Sequence, residues 1–250
     1  MPTIAAYIPA RYESSRLPGK VLLKDTGKYL IQHVYERVLE AQHIEQVILA
    51  ADDERILEAA AEFGAPAFMT SLEHKSGTDR IAEVARNHDH QLIINVQGDE
   101  PDIEPAAVDQ LAQMMIAHPE VRMGTLAVPI NDMSRYENPN VVKVVVDNAG
   151  DALYFSRSPL PHGGNHGKPL AKLPFQPLHH LGIYAFRREF LLEFVSLPQG
   201  RLEQLERLEQ LRAIEHGHKI RVGLLESANT GIDTPEQYEA FVKRWKALHA

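Results

Sequence analysis

Along the first hundred residues the chain alternates between two hydrophobic periods. Residues 3–9 are a nearly continuous apolar run, Thr-Ile-Ala-Ala-Tyr-Ile-Pro, which reads as a buried strand. Pro9 has no N–H to give to a ladder, so the strand is expected to stop there. Over residues 30–41 apolar side chains recur at three- and four-residue intervals, predicting an amphipathic helix. Residues 46–50 read as a short buried strand, and Asp52 and Asp53 then open a helix over residues 54–63. A third strand is expected at 67–69, a loop over 73–80 leads into another helix, and a fourth strand follows at 92–96. This β-α-β-α-β rhythm predicts a parallel, right-handed sheet with helices on both faces.

The second half is less regular. Residues 123–128, 141–146 and 152–155 read as strands without helices between them, and Asp147-Asn-Ala-Gly-Asp151 reads as a hairpin turn. A mixed sheet, or a small antiparallel extension of the parallel core, is therefore expected. Residues 158–179 are rich in Pro, Gly and His and read as a long exposed loop. A strand is expected at 182–186, a single helix over 202–216 ending at Gly217, a strand at 220–225 and a closing helix at 235–248. Leu202, Leu205, Leu208 and Leu211 form an apolar stripe on the long helix, with Glu203, Glu206 and Glu209 as a solvated face beside it. No repeat, low-complexity tract or linker interrupts the chain, so residues 1–250 are expected to form a single domain.

Composition narrows the class. With 250 residues, 44% hydrophobic and 24% charged, the chain is ordinary for a globular α/β domain. No apolar run reaches membrane-spanning length and no signal peptide is evident, so no membrane contact and a cytoplasmic location are expected. There is no cysteine, hence no disulfide and no thiol nucleophile. The net charge of −8 should repel nucleic acid, so any affinity for phosphate must be local.

Such a locality follows the first strand. Arg11, Arg16 and Lys20 alternate with turn residues, including Pro18 and Gly19, and three cations with open backbone N–H groups suit a polyphosphate. The loop is not a Walker A motif, because Val21 rather than Ser or Thr follows Lys20 and Ser14 stands where the first glycine belongs. Asn95-Val-Gln-Gly-Asp-Glu-Pro101 ends a neighbouring strand on the same rim. Asp99 there either holds a divalent cation, such as Mg²⁺, or belongs to an ordinary tight turn. Gln97 either reads a base or sugar edge or is a plain loop residue. Ser76 and Asp79 have capping-box spacing, and the same turn could equally line a nucleotide pocket. Asp233 is a second carboxylate beside the Thr234-Pro235 start of the last helix, where it serves as a capping residue or a second metal anchor. Arg157 ends a strand and suits a carboxylate partner, although an outward structural arginine is the ordinary reading. His162, His166, His179 and His180 lack zinc spacing and are read as loop residues.

Taken together, these segments resemble one family over nearly the whole chain. Ile8-Pro-Ala-Arg-Tyr-Glu-Ser-Ser-Arg-Leu-Pro-Gly-Lys20, Ser76-Gly-Thr-Asp-Arg80 and Asn95-Val-Gln-Gly-Asp-Glu-Pro101 are similar to motifs of the 3-deoxy-D-manno-octulosonate (Kdo) cytidylyltransferases, or CMP-Kdo synthetases. So are Tyr154-Phe-Ser-Arg157, His180-Leu-Gly-Ile-Tyr184, Leu208-Glu-Gln-Leu-Arg212 and Gly231-Ile-Asp-Thr-Pro235. Each motif is modest alone, but seven in order are specific.

The resemblance implies a nucleotide-diphospho-sugar transferase-like α/β fold, with a mixed, mainly parallel sheet flanked by helices and a small antiparallel extension. It implies a Mg²⁺-dependent, usually dimeric, cytoplasmic nucleotidyltransferase that joins CTP to Kdo for lipopolysaccharide synthesis and releases pyrophosphate. On this carry-over Arg11, Arg16 and Lys20 hold the CTP phosphates, Ala10 belongs to the substrate-binding set, and Ser76, Thr78, Arg80 and Gln97 surround the cytidine nucleotide. Asp99 and Asp233 hold Mg²⁺, while Arg157, His180, Tyr184, Glu209 and Gln210 line the sugar-acid pocket. Arg11, Lys20, Asp99 and Asp233 are the expected catalytic set. Nothing looks like an activated nucleophile, so no covalent enzyme intermediate is expected.

The chain departs from the family pattern in three places, one of them the unusual Pro/Gly/His loop before His179. Val21 replaces the usual Pro after Lys20, and His179 stands where a basic Arg or Lys usually precedes the motif histidine. His179 and the loop lie on the sugar side and keep 8-amino-Kdo open as an alternative acceptor. Three competing readings are a sialic-acid-activating enzyme, a catalytically dead nucleotide-binding module and a P-loop enzyme. Arg157, His180 and the Leu-Glu-Gln-Leu-Arg segment argue against the first. The intact cationic loop and the acid pair argue against the dead module, and the failed Walker pattern against the P-loop enzyme.

Overall fold

In the computed structural model, which describes residues 2–14, 17–162, 176–229 and 231–249, Ile4–Ala10 form β1 with every residue buried. A short 3₁₀ turn at Lys20–Leu22 precedes α1 (Leu30–Leu39), followed by β2 (Gln46–Ala51), α2 (Glu54–Glu62) and β3 (Ala67–Met69). Then come α3 (Gly77–Ala85), β4 (Leu92–Asn95) and α4 (Pro105–Ala117). The chain continues through β5 (Met123–Pro129), α5 (Met133–Glu137), β6 (Lys143–Val146), β7 (Ala152–Ser156) and β8 (Leu178–Arg187). It closes with α6 (Arg188–Phe194), α7 (Arg201–Glu206), α8 (Leu211–Glu215), β9 (Ile220–Leu224) and α9 (Pro235–Leu248). These elements divide into one unit of Met1–Ala112 with Asn229–Ala250 and another of Gln113–Ala228.

In the first unit β1 pairs in parallel with β2 on one side and β4 on the other, and β3 adds in parallel to β2. A strand flanked on both edges and covered on both faces needs a continuous apolar run, and Ile4 to Ile8 supply it. The strand does not stop at Pro9 as expected but runs to Ala10, with Pro9 opposite Ala50 of β2. The reason lies in the direction of its missing donor. The Tyr7 carbonyl accepts the Val96 N–H at 3.1 Å, so the Pro9 nitrogen, two residues on, faces that same side. The β1–β4 ladder has already ended there at Tyr7–Asn95, so no hydrogen bond is lost.

The last segment of the chain returns to this unit. Tyr238 and Phe241 of α9 pack with Leu30 and Ile232, and Leu17, Leu23, Val242 and Trp245 close around them. Thr234 caps α9 by accepting from the Gln237 N–H, with Pro235 in the first turn. The Ser76–Asp79 capping box at the start of α3 is formed as the spacing suggested.

In the second unit β5 runs parallel to β9 and antiparallel to β8, and β6 and β7 form the antiparallel hairpin expected around 147–151. The fold class is thus mixed α/β, mainly parallel in its sheet pairing, with helices flanking and some antiparallel strands. Four expectations need correction here. His179 and His180 are not loop residues but belong to β8, which starts four residues earlier than predicted. Most of the Pro/Gly/His loop, with His166, lies outside the described residues.

The single helix over 202–216 is two helices, broken at Arg207, whose φ of 55° is left-handed. The break frees carbonyls at the end of α7, and Arg157 takes them, donating from Nε to Glu206 O at 2.9 Å and from Nη2 to Arg207 O at 3.5 Å. The acids beside the leucine stripe are accordingly not a solvated face. Glu203 is buried against Arg212, and the Glu206 carboxylate accepts from Ser156 Oγ at 2.5 Å and from the Arg157 N–H at 2.9 Å. Leu205, expected in the apolar stripe, is exposed instead.

Helix α4 was not expected. Its signal was nonetheless present, because Val108, Leu111, Ala112 and Met115 have helical spacing behind Pro105 and all are buried.

Candidate active site

The loops leaving the carboxyl ends of β1 and β4 and the N-terminus of α3 enclose a cleft of about 430 Å³ in the first unit. Its lining brings together Arg11, Lys20, Ser76, Gln97 and Asp99 of the expected residues. Two glycines let these walls approach. A Cβ at Gly98 would lie 2.9 Å from the Pro9 carbonyl oxygen, and one at Gly77 would lie 3.0 Å from the Pro9 ring. Any side chain at either position would push its wall away from the end of β1.

At the cleft floor the Lys20 ammonium, itself buried, donates to Asp99 Oδ2 at 2.6 Å and to the Ile232 carbonyl at 2.8 Å. Asp233 Oδ1 lies 3.9 Å from the same ammonium. The Ile232 N–H donates to the Asp99 carbonyl at 2.8 Å, so the backbone sets the 99 and 232 loops side by side. Asp99 and Asp233, far apart in sequence, thus meet around one cation. Next to them Glu100 is half-buried, and burial, followed by the charges of Asp99 and Asp233, pushes its carboxyl up to about 7.

Arg11 donates from Nη2 to the His74 carbonyl at 3.3 Å, which leaves its charge at the rim. Gln97 sits at the end of β4, with Nε2 3.5 Å from Asn95 Oδ1. Ala10 is fully buried at the end of β1, and Thr78 and Arg80 are buried in α3 and do not line the cleft. Arg16 lies outside the described residues. Glu13, Ser14 and Lys75 line the cleft without having been singled out. Lys75 was legible only as the neighbour of Ser76, since one exposed lysine in a loop carries no pattern.

The second unit holds the other expected set. His180 is buried in β8, and its Nε2 lies 3.0 Å from Thr125 Oγ1. The single Thr125 hydroxyl proton goes to the Ile183 carbonyl at 2.7 Å, so His180 Nε2 is the donor in this pair. Thr125 sits where the β5–β8 register shifts, and its hydroxyl ties the bulge at Leu181–Ile183. Burial lowers the His180 pKa to about 3, so the ring is neutral at physiological pH. Tyr184 lies 5.4 Å from it between ring centroids, and Phe155 meets the His180 ring edge-on at 4.8 Å.

Arg157 is half-buried, and besides the α7 carbonyls it donates to Pro139 O at 3.1 Å. Gln210 is buried, with Nε2 lacking a hydrogen-bond partner among the described residues. Glu209 lies 3.6 Å from Arg212 Nη2. A residue that sequence reading passed over is Lys143, fully buried opposite His179 in the β6–β8 pairing. Its ammonium donates to the carbonyls of Asn138, Val141 and Arg157 at 2.6–3.0 Å, and burial lowers its pKa. A lysine inside the apolar 141–146 run was its only signal.

The family model described as Cytidylyltransferase matches residues 5–220. A 3-deoxy-manno-octulosonate cytidylyltransferase of Solibacter usitatus is 48% identical over 244 residues, covering 98% of this chain and 95% of that one. The enzyme of the same name from Geobacter metallireducens is 47% identical, covering 96% and 97%. Among solved structures, CMP:2-keto-3-deoxy-manno-octonic acid synthetase complexed with CTP superposes with a TM-score of 0.92 at 43% identity, covering 99% of both chains. The chain belongs to the 3-deoxy-manno-octulosonate cytidylyltransferase family. A cytidylyltransferase from Leptospira borgpetersenii, at 18% identity and a TM-score of 0.64, shares the fold.

Membership makes the chain a nucleotidyltransferase by family, a class of reaction that generally uses a divalent metal. The donor set around Lys20 fits such an ion. Asp99 and Asp233 offer hard carboxylate oxygens, and the two together outweigh the single charge of Lys20. Mg²⁺ takes one or two carboxylates and completes its shell with water and substrate phosphate oxygens. No group of three or more His, Asp or Glu side chains that could hold a metal by itself occurs among the described residues.

Proposed function

We propose that this chain transfers CMP from CTP to the anomeric C2 hydroxyl of Kdo, giving CMP-Kdo and pyrophosphate. The observation that carries the reading is the meeting of Asp99 and Lys20, which line the cleft with Arg11 and the start of α3, with Asp233, which lies outside the lining at 3.9 Å from the same ammonium. Relatives at this level of identity carry the Kdo name, which disfavours 8-amino-Kdo as the acceptor.

Arg11, Arg16 and Lys20 would bind the triphosphate, with the backbone N–H groups at the α3 N-terminus adding positive potential. Ser76 and Gln97 would face the cytidine nucleotide from the cleft wall, with Ala10, Thr78 and Arg80 behind it. Asp99 and Asp233 would hold Mg²⁺, whose chemistry when bound is to neutralise phosphate charge and to acidify a nearby hydroxyl. Arg157, His180, Tyr184, Glu209 and Gln210 of the second unit would orient the sugar acid. The C2 oxygen attacks the α-phosphorus in line, the bond from Pα to the bridging oxygen breaks, and that oxygen leaves with the electron pair on pyrophosphate. The C2 hydroxyl proton passes to solvent, so no side-chain base is required. The cations of the phosphate loop offset the charge that accumulates on the leaving group.

We also infer that residues 1–250 act as one cytidylyltransferase domain, working as a homodimer in the cytoplasm. No helix among the described residues is long and apolar enough to cross a membrane. The net charge of −8 supports the absence of a nucleic-acid partner. The test is pyrophosphate release with CTP and Mg²⁺, offering Kdo, 8-amino-Kdo and N-acetylneuraminate in parallel. Release with Kdo is expected, and no release with any of the three would overturn the proposal.

A further inference from the structure

Arg80 is 1% exposed, does not line the cleft, and reaches two loops at once. Its Nη1 donates to Thr70 Oγ1 at 2.5 Å and to Ser71 O at 3.3 Å, both in the loop after β3. Its Nη2 donates to Asp52 Oδ2 at 3.1 Å, in the loop after β2. The other oxygen of Asp52 accepts the backbone N–H of Tyr12 at 2.9 Å, in the loop after β1. Tyr12 in turn accepts through its carbonyl from the Gly19 N–H at 3.2 Å, directly before Lys20.

A second path runs from the same helix. Glu83, one turn beyond Arg80, accepts the Ser71 N–H at 3.0 Å and meets His74 Nε2 at 2.5 Å. The His74 carbonyl is the acceptor for the Arg11 guanidinium. Arg11 is therefore fixed twice, by its side chain through the β3 loop and by its neighbour's N–H through Asp52. Both supports converge on α3. Asp52, Arg80 and Glu83 are all outside the cleft lining.

We propose that Asp52 and Arg80 form a positioning pair for the phosphate-binding residues, holding Arg11, Tyr12 and Gly19, directly before Lys20, in the geometry that reads the distal phosphates of the nucleotide. The proposal rests on the reading of the cleft as the CTP site. Asp52 uses one oxygen for each donor, and an amide in its place has only one acceptor, so Asp52→Asn can satisfy Tyr12 or Arg80 but not both. Arg80→Lys keeps a buried cation beside Asp52 but gives up the fork that spans two loops.

The experiment is calorimetric titration of CTP and CMP into the parent and both variants. Amide hydrogen exchange at Tyr12 and Gly19, and in β1–β4 as the folding control, is followed alongside. Asp52→Asn should bind CTP about ten-fold more weakly while CMP affinity stays within about two-fold, because only the distal phosphates depend on the relay, and Arg80→Lys, which stands behind the nucleotide wall, should weaken CTP more than CMP. The Tyr12 and Gly19 amides should exchange about ten-fold faster with β1–β4 unchanged. Equal weakening of CTP and CMP, or unchanged CTP affinity and exchange, would overturn the positioning role. A parent protein that binds neither nucleotide would overturn the CTP reading itself and this proposal with it.

Discussion

The Lys20 ammonium lies 2.6 Å from Asp99 and 3.9 Å from Asp233, close enough to hold both carboxylates in place before any ligand arrives. A lysine so placed lowers the mutual repulsion of the acids while leaving Asp99 in the cleft lining. Replacing Asp99 by Asn keeps an acceptor for Lys20 but removes the charge a metal needs. Turnover should fall by about 10²–10³-fold or more, as when one electrostatic contributor is removed from other sites. The thermal midpoint should stay close to that of the parent. Near-parental pyrophosphate release by Asp99→Asn would remove Asp99 from the metal site. The residue types here were readable from the motifs, since an Asp after Gly98 and a Lys after Gly19 are visible in any reading. Their convergence was not, because a separation of 212 residues between Lys20 and Ile232 leaves no local trace.

At the level of elements, the α7–α8 corner depends on one buried ion pair. Arg212 donates to Glu203 from Nε at 2.9 Å and from Nη2 at 2.7 Å, with both residues almost wholly buried. Such a pair adds little over an apolar substitute, yet losing one partner leaves an uncompensated charge. Glu209 stays 3.6 Å from Arg212 and offsets part of that loss, so Glu203→Gln should lower unfolding stability by about 1–3 kcal/mol in urea titration. A loss under about 1 kcal/mol would show that water reaches Arg212. Helical periodicity was read correctly over 235–248, where a capped, amphipathic segment ends in the expected place. It failed over 202–216, because the left-handed turn at Arg207 is held by Arg157, which follows β7 some 50 residues earlier and which no periodicity can reveal.

Across the whole molecule, buried neutral histidines in both units set the acid limit. His33, sealed among Thr26, Phe241 and Trp245, has its pKa lowered to about 4 by burial. His179 falls to about 4 and His180 to about 3, again chiefly through burial. The unfolded chain binds these protons near the ordinary value of 6.5 and the folded chain does not, so unfolding takes up protons in the interval between. The contribution is complete above about pH 6.5 and is lost as pH falls towards 4, amounting to about 3 kcal/mol for the shift at His33. The thermal midpoint should drop between pH 7 and pH 4.5, and His33→Gln should flatten that slope. An unchanged slope would mean that water reaches the ring at the α1–α9 contact.

Local sequence determined what depends on neighbours a few residues apart. It specified the parallel βαβ order of the first half, the caps of α3 and α9, the hairpin at 147–151 and the cationic loop, because turns, caps and hydrophobic periods are short-range properties. Only the tertiary structure decided which of those residues serve one another. It put Asp233 beside Asp99, turned Arg80 towards Asp52, placed His180 inside a bulged strand and bent the 202–216 segment around Arg157. These outcomes rest on hydrogen bonds and burial between segments distant in sequence. Their energies depend on contacts that form only when the chain has folded.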